Sequence, residues 1–428
     1  MPDFKTNLLL GAGAIALTHT LTLWSGSLVP AAAAAPILMA AEEETGEGGE
    51  GGEGGGESGG VPSSYALAST DPAKWNYDAT AVIDAYVTGA AAQYAAAAAG
   101  AATLQAAVDA LLAAPSQATL DAARAAWVAA RPAYLKTEVY RYYDGPIEQV
   151  EGRLNAWPMN EAYIDYTKDD PASGLINDPA FDVTAAAIVA KNQVSDEADV
   201  TSGWHAAEFL LWGQDLSADG PGNRPFADYS AGTPATDKRR AYLKATVDQI
   251  ATDLTGLAAA WQAATPGSYA ATFKAMPPRE AIGRIVNGMA VMTGLELRSE
   301  RLAVALDSGD QEDEQSCFSD TSKQDFVHDL DGIARVYYGR YEGGGGAGID
   351  SLMKTLNPER AVKLDTLFAD ALRQINALGD PWDKVLASAP DSPERATAEA
   401  AVTALGALAS ELKASGTDLG VLVQIPGL

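Results

Sequence analysis

The chain has 428 residues, with 29 lysines and arginines against 57 aspartates and glutamates, for a formal net charge of −28. That balance excludes charge-driven binding to nucleic acid or to an anionic membrane surface, and favours a cation or a basic partner. Hydrophobic residues make up 47 % of a chain long enough for two or three domains, and its one cysteine, Cys317, excludes an intramolecular disulfide and cysteine-built zinc sites. A metal here would need histidine, carboxylate or tyrosine oxygen, and Cys317 reads as a small buried hydrophobe.

No charged side chain occurs between Thr6 and Ala41; Lys5 precedes an apolar run over residues 8–29, and Ala31 to Ala35 are small. Residues 1–41 therefore read as a secretory signal peptide, with an uncleaved N-terminal anchor as the alternative. They hold no cysteine, so lipoprotein processing is excluded. The expected location is the periplasm or outer envelope, with membrane contact only through this segment if it is retained. Residues 42–61 are almost entirely Glu and Gly, including Glu42, Glu43, Glu44, Glu47, Glu50, Glu53 and Glu57, and read as a flexible, self-repelling linker.

Helical spacing follows over residues 76–112, through Val82, Ile83, Tyr86, Val87, Tyr94, Leu104, Val108 and Leu111. Pro115-Ser116 breaks it, with Ser116 as an N-cap. A second helix is predicted over residues 117–143, with a kink or junction at Pro132. It would carry Glu138 at i,i+3 from Arg141 and i,i+4 from Tyr142, and its tyrosines Tyr134, Tyr140, Tyr142 and Tyr143 argue for a partly buried polar face. Residues 145–180 read as a long irregular connection rich in aromatics, with Trp157-Pro158 extended or in a turn. A Gly/Pro-rich stretch over 220–236 marks a boundary between domains at 62–235 and 236–428. Further helices are predicted over 237–264, 278–306, 322–338, 359–378 and 396–412. The helix over 278–306 would present Glu296 and Glu300 on one face, and it leads into an acidic turn at 311–320. A Gly-rich break falls at 343–348. Alternation of β-branched residues is scarce, so the fold class is all-α, as two packed four-helix-bundle-like domains with long irregular connections.

The stretch with the most chemistry is Ser202-Gly203-Trp204-His205-Ala206-Ala207-Glu208-Phe209-Leu210-Leu211-Trp212-Gly213. On a helix His205 and Glu208 lie about 60° apart, so an imidazole and a carboxylate share one face within an apolar shell. The chain has three histidines, and His19 falls in the N-terminal apolar run, which leaves His205 and His328. The plainer reading is a hydrogen-bonded core histidine.

Together these blocks resemble the imelysin family of bacterial envelope proteins, which includes iron-regulated proteins and is catalogued among peptidases. The resemblance covers most of the chain after about residue 70. It is carried by Tyr140-Arg141-Tyr142-Tyr143-Asp144-Gly145-Pro146-Ile147, Leu154-Asn155-Ala156-Trp157-Pro158, Tyr163-Ile164-Asp165-Tyr166, the His205 segment, and Glu312-Asp313-Glu314-Gln315-Ser316-Cys317-Phe318-Ser319-Asp320. The family's Gly-x-His-x-x-Glu motif falls on Gly203, His205 and Glu208. Gln315 stands where many relatives carry histidine. The resemblance implies paired four-helix bundles with the motif segments converging near their interface, and an exported protein tied to iron acquisition.

The expected function is binding of iron or another divalent metal, with zinc or copper as further candidates by ligand type. His205 and Glu208 are the expected metal ligands. Glu138 is the expected carboxylate from another helix, and Glu300 and Asp320 are further candidates. Arg141 would orient a carboxylate or an anionic ligand, and Trp204 and Trp212 would seal the site. The expected partners are the metal or a small iron-carrying ligand, and envelope iron-uptake components. One alternative is a zinc peptidase with Glu208 as general base on metal-bound water. Another is a non-catalytic module for a siderophore, haem or peptide. In the plainest case these residues form a satisfied polar network.

Overall fold

The computed structural model describes residues 75–217, 219–342 and 344–427; the expected signal peptide and linker lie outside them. The described residues build an all-α protein whose principal helices are α1 (Thr80–Ala113), α2 (Gln117–Leu135), α3 (Gly203–Trp212), α4 (Pro234–Ala260), α5 (Pro278–Val291), α6 (Ser322–Tyr338), α7 (Pro358–Ala377) and α8 (Pro393–Leu419). Single helical turns fill much of the long connection between α2 and α3, at Glu151–Leu154, Glu161–Ile164 and Ala185–Val189. The one pair of strands among the described residues is a two-residue antiparallel contact, Arg340–Tyr341 with Gly344–Gly345, at the Gly-rich break.

α1 buries Tyr86, Ala90, Tyr94, Ala97, Ala101, Leu104, Val108 and Leu111, a stripe at the three- and four-residue spacing that makes a helix stick to its neighbours. Its composition and length would suit a membrane span. Here the stripe packs against α2 and α4. α3 lies against α2 and α4. A second group joins α8 to α7, α5 and the segment after α5. α6 belongs to both groups, touching α2 on one side and α7 on the other. The described residues fall in one compact unit, and the expected division at 235/236 falls in the first turn of α4.

Two predicted helices are shorter or differently wound than their periodicity implies, and both differences shape the site. α2 starts as expected: Ser116 Oγ accepts from the Thr119 N–H at 3.2 Å, and the Ser116 N–H donates to Thr119 Oγ1 at 3.0 Å. It runs through Pro132 but stops at Leu135. The Thr137 hydroxyl and N–H both donate to the Tyr134 carbonyl, at 2.6 and 2.7 Å, and close off the helix. A 3-10 turn follows at Glu138–Tyr140, then extended backbone at Arg141 and left-handed backbone at Tyr142 (φ 68°). Glu138, Arg141 and Tyr142 therefore do not share an α-helical face.

The predicted helix over 278–306 is α5, then a π-helical segment at Met292–Ala303, then a last α-turn at Val304–Ser308. Residues five apart are about 140° apart on an α-helix, whereas π winding, with its i→i+5 hydrogen bonds, stacks them. Glu296 consequently meets Arg301, and Glu300 is left exposed.

Gly203 shows what positions α3. Its φ is 89°, and a Cβ there would sit 2.4 Å from the Leu154 carbonyl oxygen. Only glycine permits this approach of α3 to the Glu151–Leu154 turn. Gly203→Ala is expected to lower stability by about 3 kcal/mol, from strain and the clash together. Urea unfolding of the variant beside wild type checks this; an unchanged midpoint would contradict it.

Candidate functional site

The first turns of α3 place His205 and Glu208 side by side, both fully buried. His205 Nδ1 and Glu208 Oε2 are 3.1 Å apart. Glu208 Oε1 accepts from the Ser319 N–H at 3.0 Å and the Ser319 hydroxyl at 2.6 Å. The other imidazole nitrogen, Nε2, faces Arg131 Nη2 at 3.3 Å. A guanidinium only donates, so Nε2 accepts and the proton sits on Nδ1, directed at Glu208. Burial, with Arg131 and Arg301 nearby, holds the imidazole well below its usual range, so it is neutral at physiological pH. Burial pushes the Glu208 carboxyl up to about 8, against the Ser319 hydrogen bonds and Arg131.

Arg131, from the last turns of α2, is the hub. Its Nη2 and Nε donate to Asp325 Oδ2 on α6 at 2.9 and 3.2 Å, and its Nη1 donates to Asn155 Oδ1. Ser316 Oγ donates to the same Asp325 oxygen at 2.7 Å. The guanidinium is packed among the rings of Trp127, Tyr134 and Trp204, 5.6 to 5.9 Å from their centroids, which adds cation–π attraction in a dry setting. Trp157 lies 5.0 Å from the His205 ring and packs edge-on to Phe318.

The network continues through Asn155, whose Nδ2 donates to Glu138 Oε1 at 2.8 Å; the Tyr134 hydroxyl donates to the same oxygen at 3.0 Å. Arg301 pairs with Glu138, with Asp329 at 2.6 Å and with Glu296 at 2.7 Å. With its amide oxygen turned to Arg301, Gln315 accepts from Nε and Nη1 at 3.2 and 3.1 Å. Arg141 spans Glu151 at 3.2 Å, Glu296 at 3.4 Å and Glu138 at 3.7 Å. Glu296 also accepts from the Tyr142 hydroxyl. Although burial alone would raise it, Arg141 and Arg301 hold the Glu296 carboxyl down at about 2.

Glu138, Glu151, Glu296, Asp325 and Asp329 thus meet Arg131, Arg141 and Arg301, five carboxyls for three guanidiniums, and Glu208 beside them meets the His205 imidazole. Burial pushes Asp329 and Glu151 up as it does Glu208. Oδ1 of Asp325 and Oδ1 of Asp329 are buried without a hydrogen-bond donor. Fully ionised, these carboxyls would outnumber the positive charges around them.

Of the residues expected from sequence, His205, Glu208, Glu138 and Arg141 lie in this network. Trp204 packs on Arg131, while Trp212 lies further along α3 against Trp127 and Arg124. Trp157 and Phe318 cover the His205 ring more directly. Glu300 is exposed. The Asp320 carboxylate lies within 4.8 Å of those of Asp215 and Asp383. His328 has Lys136, Asp325, Asp331 and Arg335 as its charged neighbours.

Arg131, Arg301, Asn155, Asp325, Asp329 and Ser319 are site residues the sequence reading leaves out. A signal exists for several. Arg131 falls four residues after Trp127 on the buried stripe Leu120, Ala123, Trp127, Tyr134, and Asp325 and Asp329 interrupt the buried stripe Phe326, Leu330, Ile333 of α6. Charged residues on an apolar stripe announce a buried partner.

The imelysin family model matches residues 90–412. The iron-regulated protein A of Synechococcus elongatus is 28% identical over 326 residues, covering 73% of this chain and 79% of that protein. Two crystal structures are similar in fold. One, of an iron-regulated protein A precursor from Parabacteroides distasonis, has a TM-score of 0.64 at 20% identity and covers 83% of this chain and 96% of that one. The other, an imelysin-like protein from Psychrobacter arcticum, has a TM-score of 0.57 at 15% identity and covers 82% and 99%.

Removing the hub tests the network. Arg131→Ala strands Asp325 as a buried unpaired charge and should cost about 3–5 kcal/mol. Adding Asp325→Asn should recover part of that loss in a double-mutant cycle read by urea unfolding. A loss below about 1 kcal/mol would mean the pair is not buried as described.

Proposed function

The chain belongs to the imelysin family, and on that premise we propose that it is an exported protein of the bacterial cell envelope that binds iron or another divalent metal and takes part in iron acquisition without cleaving peptides. The apolar run at residues 8–29 supports export, as does the description of one structural relative as a precursor. The link to iron rests on relatives described as iron-regulated.

The observation that carries metal binding is the excess of carboxyls over guanidiniums in the buried network, with the Asp325 and Asp329 oxygens left without donors. The donor types, a neutral imidazole with carboxylates, fit iron, zinc or copper. His205 Nε2 would hold the ion with Asp325 as the adjoining carboxylate, while Glu208 accepts from the Nδ1–H and steadies the ring. Arg131 already sits on the Nε2 lone pair. A cation must therefore displace this guanidinium, substituting for the charge it supplies. Phe318, Trp157 and Trp204 keep water from the pair.

Binding is favoured over hydrolysis for a physical reason. A hydrolytic zinc needs a coordination position open to water and substrate. His205 and Glu208 are both fully buried, and Arg131 and Ser319 fill their outward atoms.

Metal analysis of the full chain after exposure to Fe²⁺, and separately to Zn²⁺, tests the reading. Wild type is expected to retain one ion per chain that is lost in His205→Ala, and Arg131→Gln is expected to bind more tightly. Equal metal in wild type and His205→Ala, or none in wild type, would overturn the site. Peptide cleavage that disappears in His205→Ala would overturn the non-hydrolytic assignment.

A further inference from the structure

A second group of acids lies beside the network and differs from it in one respect. Asp215, from the loop after α3, Asp320, from the 311–320 turn, and Asp383, on the short helix Trp382–Leu386, bring their carboxylate oxygens within 4.8 Å of one another. Glu314 is a fourth acid, in contact with Asp383. Asp383 is 1% exposed, and neither of its carboxylate oxygens has a hydrogen-bond donor. One oxygen each of Asp320 and Glu314 is also buried without a donor. The remaining contacts are few: the Ser217 N–H and the Gln311 amide donate to Asp215, and the Ser322 hydroxyl donates to Glu314 at 2.9 Å.

Among the described residues no lysine, arginine or histidine pairs with any of these four carboxyls. Lys384, next to Asp383, forms no ion pair with the four; its charge is felt at Asp320, and its ammonium is 3.8 Å from Asp219. Asp380 adds a further negative charge near Asp320. In the His205 network Glu138, Asp325 and Asp329, buried as deeply, are each met by a guanidinium, and Glu208 by His205 and Ser319. Buried carboxylates without a counter-charge are held only by protons or by a cation.

We propose that Asp215, Asp320 and Asp383, with Glu314, form a binding site for a hard divalent cation of the calcium class, distinct from the His205–Glu208 pair. All the donors are oxygen, and the cluster contains no imidazole or thiolate to favour zinc or copper. Oxygens on opposite sides of a bound Ca²⁺ lie about 5 Å apart, from bonds of about 2.3–2.6 Å. Carboxylate oxygens of Asp215, Asp320 and Asp383 that all lie within 4.8 Å of one another are compatible with that span. Asp215 also lines an open cavity of about 340 Å³ together with Trp212, Gly222 and Arg224, which offers a route from solvent.

The site ties together three stretches of chain that are distant in sequence. Asp320 follows Ser319, whose N–H and hydroxyl hold Glu208. A cation at the acid cluster therefore braces the turn on which the neighbouring His205–Glu208 geometry rests.

The test uses the full chain, stripped with chelator and titrated calorimetrically with CaCl₂, with melting followed in parallel. Wild type is expected to bind one Ca²⁺ per chain and to melt at a higher temperature when saturated. Asp383→Asn should lose the Ca²⁺ response, yet melt no lower than wild type in chelator, because it removes an unpaired buried charge. Asp320→Asn, at a half-buried position, should also lose the response and serves if Asp383→Asn does not fold. His205→Ala should keep it, so the failure of one metal site is distinguishable from failure of the other. No Ca²⁺ binding by wild type, binding that survives both aspartate substitutions, or a response to Mg²⁺ but not Ca²⁺ would overturn the proposal. The first of these would leave the cluster held by protons.

Discussion

A guanidinium cannot be left unpaired in a protein core, and Arg131 is buried there with its positive charge intact. Its fork is met by Asp325 from α6, Asn155 from the irregular connection and His205 from α3. Three separate parts of the chain are thereby held to α2 through one group. The interaction is specific rather than simply stabilising, since a buried ion pair returns little over an apolar packing of the same volume. What it secures is register. The imidazole is presented as one tautomer, its Nδ1–H is aimed at Glu208, and α6 is anchored between the two groups of helices.

The backbone irregularities serve the same arrangement. The early end of α2 frees Glu138 to turn toward Asn155 and Arg301. The π winding after α5 lets Glu296 and Arg301 stack, so that one residue of the segment pairs with Glu138 and Asp329 while the other meets Arg141 and Tyr142. Each departure from α geometry replaces regular hydrogen bonding with a charge contact in the interior. Segments of this kind are commonly found at functional sites.

Much of this was legible in the residues. The helices α1, α4, α6, α7 and α8 follow apolar spacing closely, because their stripes face a continuous core. His205 and Glu208 emerge as a pair because i,i+3 geometry is local. The ends of α2 and the π segment are not legible in this way. Their periodicity is compatible with continued α-helix, and what stops it is tertiary: the Thr137 contact to Tyr134, and the pull of partners far away in sequence. The role of Asp383 is hidden for the same reason. Nothing near Trp382 indicates that Asp215 and Asp320 will meet it. Glu300 misleads because the i,i+4 rule assumes α winding that the segment does not have.

The account turns on Arg131 occupying His205 Nε2, since that contact fixes the proton of an imidazole that burial and Arg131 together keep neutral, and fills the position a metal would take. The most direct measurement is ¹⁵N-detected NMR of the histidine side chains of metal-free protein between about pH 5 and pH 8, with His205→Gln used to assign the His205 signals by their loss. The account predicts a neutral Nδ1–H tautomer that does not titrate across that range. An Nε2–H tautomer, or an imidazole that gains a proton near its ordinary pKa, would contradict it.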